Sequence, residues 1–383
     1  MKWNNSKKRI LLSTDWFPPA FKAGGPISSV HHLASLLASD FEVFVVTSIY
    51  DLNETEPLTV PFNTWTVKAL SGGEVRVLYA DPKTMSMNRW KSIMDEVQPH
   101  AVHMNSLYSK PYTLNILRIR SRWPETRFIL APRGMLGQAA LRIKPLKKKV
   151  FLQTSKTLRW FEGLIWHVSS AVEKTEVLSW FPEALIRVAQ NLPAPAPSMN
   201  AIRIHNVWNV VVIGRIHRVK NLHFGLQSLL QSESARPVKL RFIGPAEDAE
   251  YQKELERLAL NQEAVQVEFL GGLPPDQLAP YFNEAHFLLS STTQENFGHS
   301  IVEAWAHGCP TLISDRTPWR NISQHQVGWD WPLEDEIWKE GLSKALQMDE
   351  DEWEEWSRAS RQYFQDHVRN VAAERANLEL FQS

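Results

Sequence analysis

The stretch Glu295-Asn296-Phe297-Gly298-His299-Ser300-Ile301-Val302-Glu303, continued by Ala304-Trp305-Ala306-His307-Gly308-Cys309-Pro310, follows the apolar run Phe287-Leu288-Leu289-Ser290. A short apolar run bounded by turn residues reads as a buried strand. Phe297-Gly298 then opens a helix that carries Glu303, and Glu295 lies in the loop before it. The first N–H groups of a helix have no intrahelical acceptor and suit an anion. A carboxylate on each side of that helix start could grip hydroxyl groups flanking the anion. A sugar nucleotide, a diphosphate between two polyols, has this pattern. The competing reading is an amphipathic helix whose buried stripe is Val302, Trp305 and Ala306, with Glu303 in solvent.

Working outward, the strand–loop–helix alternation recurs along the second half. Trp208–Ile213, Val238–Ile243, Val265–Leu270, His286–Ser290 and Thr311–Ser314 read as strands, the last closing the core. Asn221–Leu230 and Glu247–Leu260 read as helices, and the tail from Glu334 is helical. The first half alternates too. Strands are expected at Arg9–Thr14, Phe41–Thr47, Ala101–Met104, Arg127–Ala131 and Leu164–Val168, with Ser28 or Ser29 capping a helix that runs through Leu37. Such alternation implies mostly parallel sheets with helices on both faces and ligands at the carboxyl ends of strands. Between the halves, Asn191-Leu192-Pro193-Ala194-Pro195-Ala196-Pro197-Ser198 suits neither a helix nor a central strand. The expected organisation is a first Rossmann-like domain over 1–190, a linker over 191–205, a second over 206–349 and a helical tail over 350–383 packing back on the first. The α/β fold class is two doubly wound domains facing an interdomain cleft.

Charge separates the halves. The 383 residues are formally neutral, yet 1–190 holds 25 Lys and Arg against 15 Asp and Glu, and 191–383 holds 17 against 27. The excess is densest at Arg133, Arg142, Lys144, Lys147, Lys148, Lys149, Lys156 and Arg159, among Phe151, Trp160 and Phe161. That mixture suits an anionic membrane surface, with nucleic acid as a second reading and a solvated helix face as the plain one. No apolar run approaches the roughly 20 residues that span a bilayer. Ile10-Leu11-Leu12 is too short for a secretory apolar region, and the single Cys309 forbids an internal disulfide, so a cytoplasmic location is expected.

Three further loops carry candidate chemistry. Arg215 and Lys220, in Gly214-Arg215-Ile216-His217-Arg218-Val219-Lys220-Asn221, follow a strand. Fixed cations there would stabilise charge developing on a diphosphate leaving group, or form a generic basic turn. Gly24-Gly25-Pro26 would let backbone approach a phosphate or simply turn. Ile243-Gly244-Pro245 and Leu270-Gly271-Gly272 would let a flat base lie on backbone. His103, Asn105 and Ser106 follow a strand and are cleft candidates or a bland strand end. No HExxH, paired-Cys or strand-following Asp-x-Asp pattern supports a metal, and His299 with Glu303 at i, i+4 spacing is a lone pair.

Taken together, these residues resemble the family 4 glycosyltransferases, retaining enzymes of GT-B fold. The resemblance covers nearly the whole chain. It rests on the two glutamates eight apart with Phe297-Gly298 after the first, on Gly214-Arg215 with Lys220, and on Gly24-Gly25. Ala23-Gly24-Gly25-Pro26, Ala131-Pro132-Arg133-Gly134-Met135 and Ser314-Asp315-Arg316-Thr317-Pro318-Trp319-Arg320-Asn321 resemble bacterial members that build O-antigen or exopolysaccharide.

The resemblance implies a metal-independent, cofactor-free hexosyltransferase. Arg215 and Lys220 would hold the donor diphosphate, and Glu295 would stabilise the transferred sugar. Glu303 would bind the ribose, and Gly298, His299 and Ser300 would meet the phosphates. Gly24, Gly25, Arg133 and Gly244 complete the donor-binding candidates, with His103 and Asn105 on the acceptor side. The implied partners are a nucleotide-sugar donor, a polyprenyl-linked saccharide acceptor and an anionic inner-membrane surface to which the protein is peripheral, with no nucleic acid. Many relatives carry His where this chain has Arg133. An always-protonated Arg cannot act as a neutral base and would instead meet a phosphate or an acidic sugar. Two alternatives are a sugar-nucleotide epimerase of GT-B-like fold and a non-catalytic sugar-nucleotide-binding subunit.

Overall fold

The computed structural model describes residues 7–197, 203, 206–260, 262 and 264–382, the side chain of Ala139 excepted. The parts of the expected first domain, linker and tail at 1–6, 198–202, 204–205 and 383 lie outside the described residues. The chain divides into two compact units. The first runs to Leu192 and resumes at Val371, and the second is Pro193–Asn370.

The first unit holds β1 (Arg9–Ser13), β2 (Glu42–Ser48), β3 (Trp65–Leu70), β4 (Gly73–Ala80), β5 (Ala101–Met104), β6 (Arg127–Leu130), β7 (Ile165–Val168) and β8 (Leu185–Val188). They form one sheet in the order β3-β4-β2-β1-β5-β6-β7-β8. Only the β3–β4 hairpin is antiparallel. Successive β2 residues feed opposite cores: Val43 and Val45 join one apolar cluster, Phe44 and Val46 the other. A strand buried on both faces is the mark of a parallel sheet between helix layers. The helix Val371–Gln382 closes one layer with Leu380 and Phe381, the latter ring lying 6.4 Å from Phe41.

The second unit holds β9 (Trp208–Ile213), β10 (Val238–Ile243), β11 (Val265–Gly271), β12 (Phe287–Ser290), β13 (Thr311–Ser314) and β14 (Gly328–Trp331). All are parallel, in the order β11-β10-β9-β12-β13-β14. This is the doubly wound order that reverses between its first and fourth strands, here β9 and β12, where such sheets bind ligands. Indole side chains make much of this core. Trp208, Trp305, Trp338 and Trp353 are buried, and each donates its N–H to a backbone carbonyl, so burial leaves none of these four donors unpaired.

The tail divides between the units. Glu350–Tyr363 and Phe364–Val368 pack on the second through Trp353, Trp356, Phe364 and Val368, and only the last helix joins the first. Three expectations change. The first helix spans Gly25–Leu37 with Gly24 before it, so Ser28 and Ser29 lie inside; Ser29 Oγ bonds back to the Gly25 carbonyl at 2.9 Å. Pro26 in the first turn, preset for helical φ, starts the helix earlier than a serine cap would. The β3–β4 hairpin and β8 were not anticipated; β3 is half-exposed and β8 largely exposed, so neither carries a buried run. Thr311–Ser314 does not close the second sheet, because β14 pairs beyond it.

Candidate functional site

In the second unit, the loops after β9, β12 and β13 are stitched together by their own polar groups. Thr292 Oγ1 and the Thr293 N–H both donate to the Val219 carbonyl, at 3.1 and 3.0 Å, and Ser291 Oγ donates to that of Asn221 at 2.8 Å. Ser314 Oγ donates to the Thr292 carbonyl at 2.6 Å, and the Glu295 N–H to that of Arg316 at 3.0 Å. Lys220 ends a short 3₁₀ turn, Arg218–Lys220, capped by the His217 ring. The stitching brings residues 75 positions apart into an ion pair, Lys220 Nζ to Glu295 Oε2 at 2.7 Å.

Glu295 also accepts from the N–H groups of Asn296 and Phe297, at 3.0 and 3.4 Å. Burial by itself would raise its pKa. The Lys220 charge and these hydrogen bonds outweigh burial and hold the carboxyl down to about 2. It is therefore a fixed anion at neutral pH. Gly298 follows at φ 81°, in the left-handed region, and starts the helix His299–Ala306 with no side-chain cap. A Cβ at Gly298 would meet only the end of the flexible Ile301 side chain, at 2.7 Å, so it is the left-handed backbone that calls for glycine. Phe297 is buried under Trp319, whose indole N–H donates to the Phe297 carbonyl at 2.5 Å. Trp305 and Trp319 thus pack beneath the helix start.

Glu303 has the opposite electrostatics. It is partly buried, and among the described residues its carboxylate has no hydrogen-bond or ion-pair partner. Burial pushes its pKa up to about 7. The stripe Val302 and Trp305 is buried as an amphipathic helix requires, but Glu303 is not the solvated residue that this plain reading needs. Arg215 lies in the loop after β9 and pairs with Glu247 at 2.5 Å. Gly244 has a packing explanation: a Cβ there would fall 1.8 Å from the Gly214 carbonyl oxygen.

In the first unit a second cluster gathers at the carboxyl ends of β1, β5, β6 and β7. Arg133 takes a left-handed backbone, φ 53°. Its Nε donates to Asn105 Oδ1 at 2.6 Å and its Nη1 to Asn191 Oδ1. Asn105 in turn donates to the Pro26 carbonyl at 3.4 Å, tying the cluster to the Gly24–Pro26 turn. Buried Glu173 accepts from the N–H of Gly134 at 2.6 Å and from the N–H and Oγ of Ser169 at 2.7 and 2.9 Å. Asp15 accepts from Ser109 Oγ at 2.7 Å, and burial raises its pKa despite that bond. His103 does not join this mouth. It is fully buried in the core, its Nε2 3.0 Å from His167 Nδ1 and its ring against Phe381. Burial, His167 and Arg133 depress its pKa and keep the imidazole neutral.

The sequence reading missed Asp15, Glu173, Asn191 and Glu247. Asn191 was assigned to the linker, yet it is buried in the first unit. Glu173 follows Ser170 at capping-box spacing. Ser170 Oγ does accept from the Glu173 N–H at 3.1 Å, but the carboxylate reaches Gly134, 39 residues away, which no local pattern announces.

Comparison with known proteins bears on the family and the fold. Residues 200–363 match the family described as "Glycosyl transferases group 1". No curated protein sequence matches the chain. Sucrose-phosphate synthase from Thermosynechococcus elongatus superposes with a TM-score of 0.76 at 15% identity, covering 98% of each chain. Anabaena HepE in complex with UDP-glucose gives 0.67 at 15% identity, over 97% of this chain and 98% of that one. WaaG, described as a glycosyltransferase involved in lipopolysaccharide biosynthesis, gives 0.61 at 13% identity, over 98% and 100%. The fold is that of GT-B glycosyltransferases, two parallel-sheet α/β domains. No described helix is long and apolar enough to cross a membrane.

Proposed function

We propose that this protein is a retaining, metal-independent glycosyltransferase. It would move a hexosyl group from a nucleotide-diphosphate sugar to a polyprenyl-linked saccharide in bacterial surface polysaccharide biosynthesis, at the cytoplasmic face of the inner membrane. The observation that carries this reading is the Lys220–Glu295 pair at 2.7 Å beside an uncapped helix start, within the segment that matches the group 1 family.

In this reading the chemistry follows from fixed charges. Lys220 and Arg215 meet the diphosphate and stabilise the negative charge that builds as the glycosyl–oxygen bond breaks. Glu295, ionised at working pH, supports positive charge on the anomeric carbon. It is a stabiliser, and no covalent role is assigned to it. The backbone N–H groups at the helix start face the phosphates, and Glu303 accepts hydrogen bonds from the ribose. The acceptor hydroxyl attacks the face that the diphosphate leaves, and its proton passes to the departing phosphate oxygen. On the first unit, the helix Pro145–Thr157 exposes Leu146 and Val150 one turn apart, beside exposed Lys147 and Lys149. Such a face suits an anionic lipid surface.

The test is calorimetric titration with UDP, GDP, ADP and CMP of the wild type, Arg215→Ala and Glu303→Ala. One nucleotide should bind selectively, and each variant should weaken it by about 1–3 kcal/mol. A folded wild-type protein that binds none of the four would overturn the donor-site assignment.

A further inference from the structure

Arg133 is a cation held in place by side chains that carry no charge. The two side chains that grip it, Asn105 and Asn191, both present amide oxygens. No ion pair to Arg133 is found among the described residues. The nearby carboxylate of Glu173 is committed elsewhere, one oxygen to Gly134 and the other to Ser169. A guanidinium carries five N–H donors, and described partners take only those on Nε and one on Nη1. The remaining donors lie at the end of the fork that suits a planar or tetrahedral oxyanion bidentately. Its position is set by a left-handed backbone at the carboxyl end of β6 and by Asn105, which also reaches Pro26. The charge of Glu173 offsets part of the burial of this cation, but the groups that touch the guanidinium are neutral, which leaves part of the cost of burying it. That cost is recovered when an anion completes the site.

We propose that Arg133 is a specificity-determining residue that recognises an anionic group, carboxylate or phosphate, on the sugar handled by the first unit. The inference rests on the glycosyltransferase reading and narrows its substrate class to uronic acids or sugar phosphates. Asn105 and Asn191 are positioning residues: their amide oxygens aim the guanidinium and leave its charge for the ligand. The acid Asp15, bonded to Ser109, follows β1 at the same end of the sheet.

The experiment measures binding of glucuronate, glucose 6-phosphate and glucose by ligand-observed NMR, with wild type, Arg133→Gln and Arg133→Lys. Wild type should prefer one anionic sugar over glucose by on the order of tenfold. Arg133→Gln should abolish that preference, and Arg133→Lys should keep part of it. Preference for glucuronate identifies a carboxylate, and preference for glucose 6-phosphate a phosphate. Equal binding of all three sugars by wild type, no binding of either anion, or an unchanged preference in Arg133→Gln would each overturn the inference. Nucleotide titration of the wild type separates the two readings. If a nucleoside diphosphate binds but no anion preference exists, only this inference fails; if none binds, the donor-site assignment fails by itself.

Discussion

The carboxyl ends of the two sheets present different electrostatics. In the second unit the charges are paired or poised: Lys220 with Glu295, Arg215 with Glu247, and Glu303 with no partner among the described residues. In the first unit a guanidinium is gripped by amides, while a buried carboxylate holds backbone and hydroxyl donors. The second unit places formal charge where charge would develop, which is what rate acceleration requires. The first holds a loop with its carboxylate, and its guanidinium is touched only by neutral side chains among the described residues. The contrast teaches that the two charged clusters are built separately, each at the carboxyl ends of strands of its own sheet, and the proposal gives chemistry to one and selection to the other.

The largest expected effect comes from Lys220→Ala. Removing a fixed cation from the reacting centre should lower kcat on the order of 10²–10³-fold in a sugar-transfer assay. A loss below tenfold, with a large drop in thermal stability, would make the pair structural and erase the contrast.

Glu173→Ala should act on stability first. It strands the N–H groups of Gly134 and Ser169, at about 1–3 kcal/mol for each buried donor left unpaired. Denaturant unfolding would show it, and a change of less than about 1 kcal/mol would argue against a holding role.

The two site glutamates should respond to pH with opposite signs. Glu295, held at about 2 against an ordinary 4.5, contributes stability that is present above about pH 4.5 and is lost as pH falls toward 2. Glu303, raised to about 7, keeps its proton longer in the folded state than in the unfolded one. Its contribution is complete below about pH 4.5 and is lost as pH rises through 7. Melting curves of Glu303→Gln should therefore fall less than wild type between pH 5 and 8, and those of Glu295→Gln should fall less below pH 4.5. Parallel curves for wild type and Glu303→Gln would show that Glu303 is solvated.

The smallest effect concerns the basic helix. Replacing Lys147, Lys148 and Lys149 with Glu should weaken binding to anionic vesicles by on the order of 1 kcal/mol per residue, and salt should mask the difference. Lys148 should contribute least, because its ammonium already donates to the Ala140 carbonyl at 2.6 Å. Unchanged vesicle binding would remove the membrane surface from the proposal.

Much of this could be read from the chain. Ala101–Met104, Trp208–Ile213, Val238–Ile243 and Thr311–Ser314 are strands at the residues expected, because each is a short, largely apolar segment buried in a parallel sheet, even where Lys239 and Arg241 alternate with the apolar residues. The edges were harder. Leu185–Val188 lies half in solvent, and Gly328-Trp329-Asp330-Trp331 is no apolar run, so neither shows the pattern that burial imposes. For Gly244 the structure adds a packing reason that no local pattern announces, since its small size admits the Gly214 backbone. His103 looked like a strand-end polar residue, but its side chain points into a core where His167 receives it.

What the sequence determined by itself is the scaffold and the charged motifs of the second unit. Hydrophobic runs and glycine turns are local, and the Glu295–Glu303 spacing lies within one loop and one helix. What only the tertiary structure decided is which of those groups meet and in what state. The Lys220–Glu295 pair, the lone Glu303 carboxyl and the Arg133–Asn105–Asn191 grip join residues from different strand ends. Their ionisation depends on burial and on neighbours distant in sequence, and these arise only when each sheet brings the carboxyl ends of its own strands together.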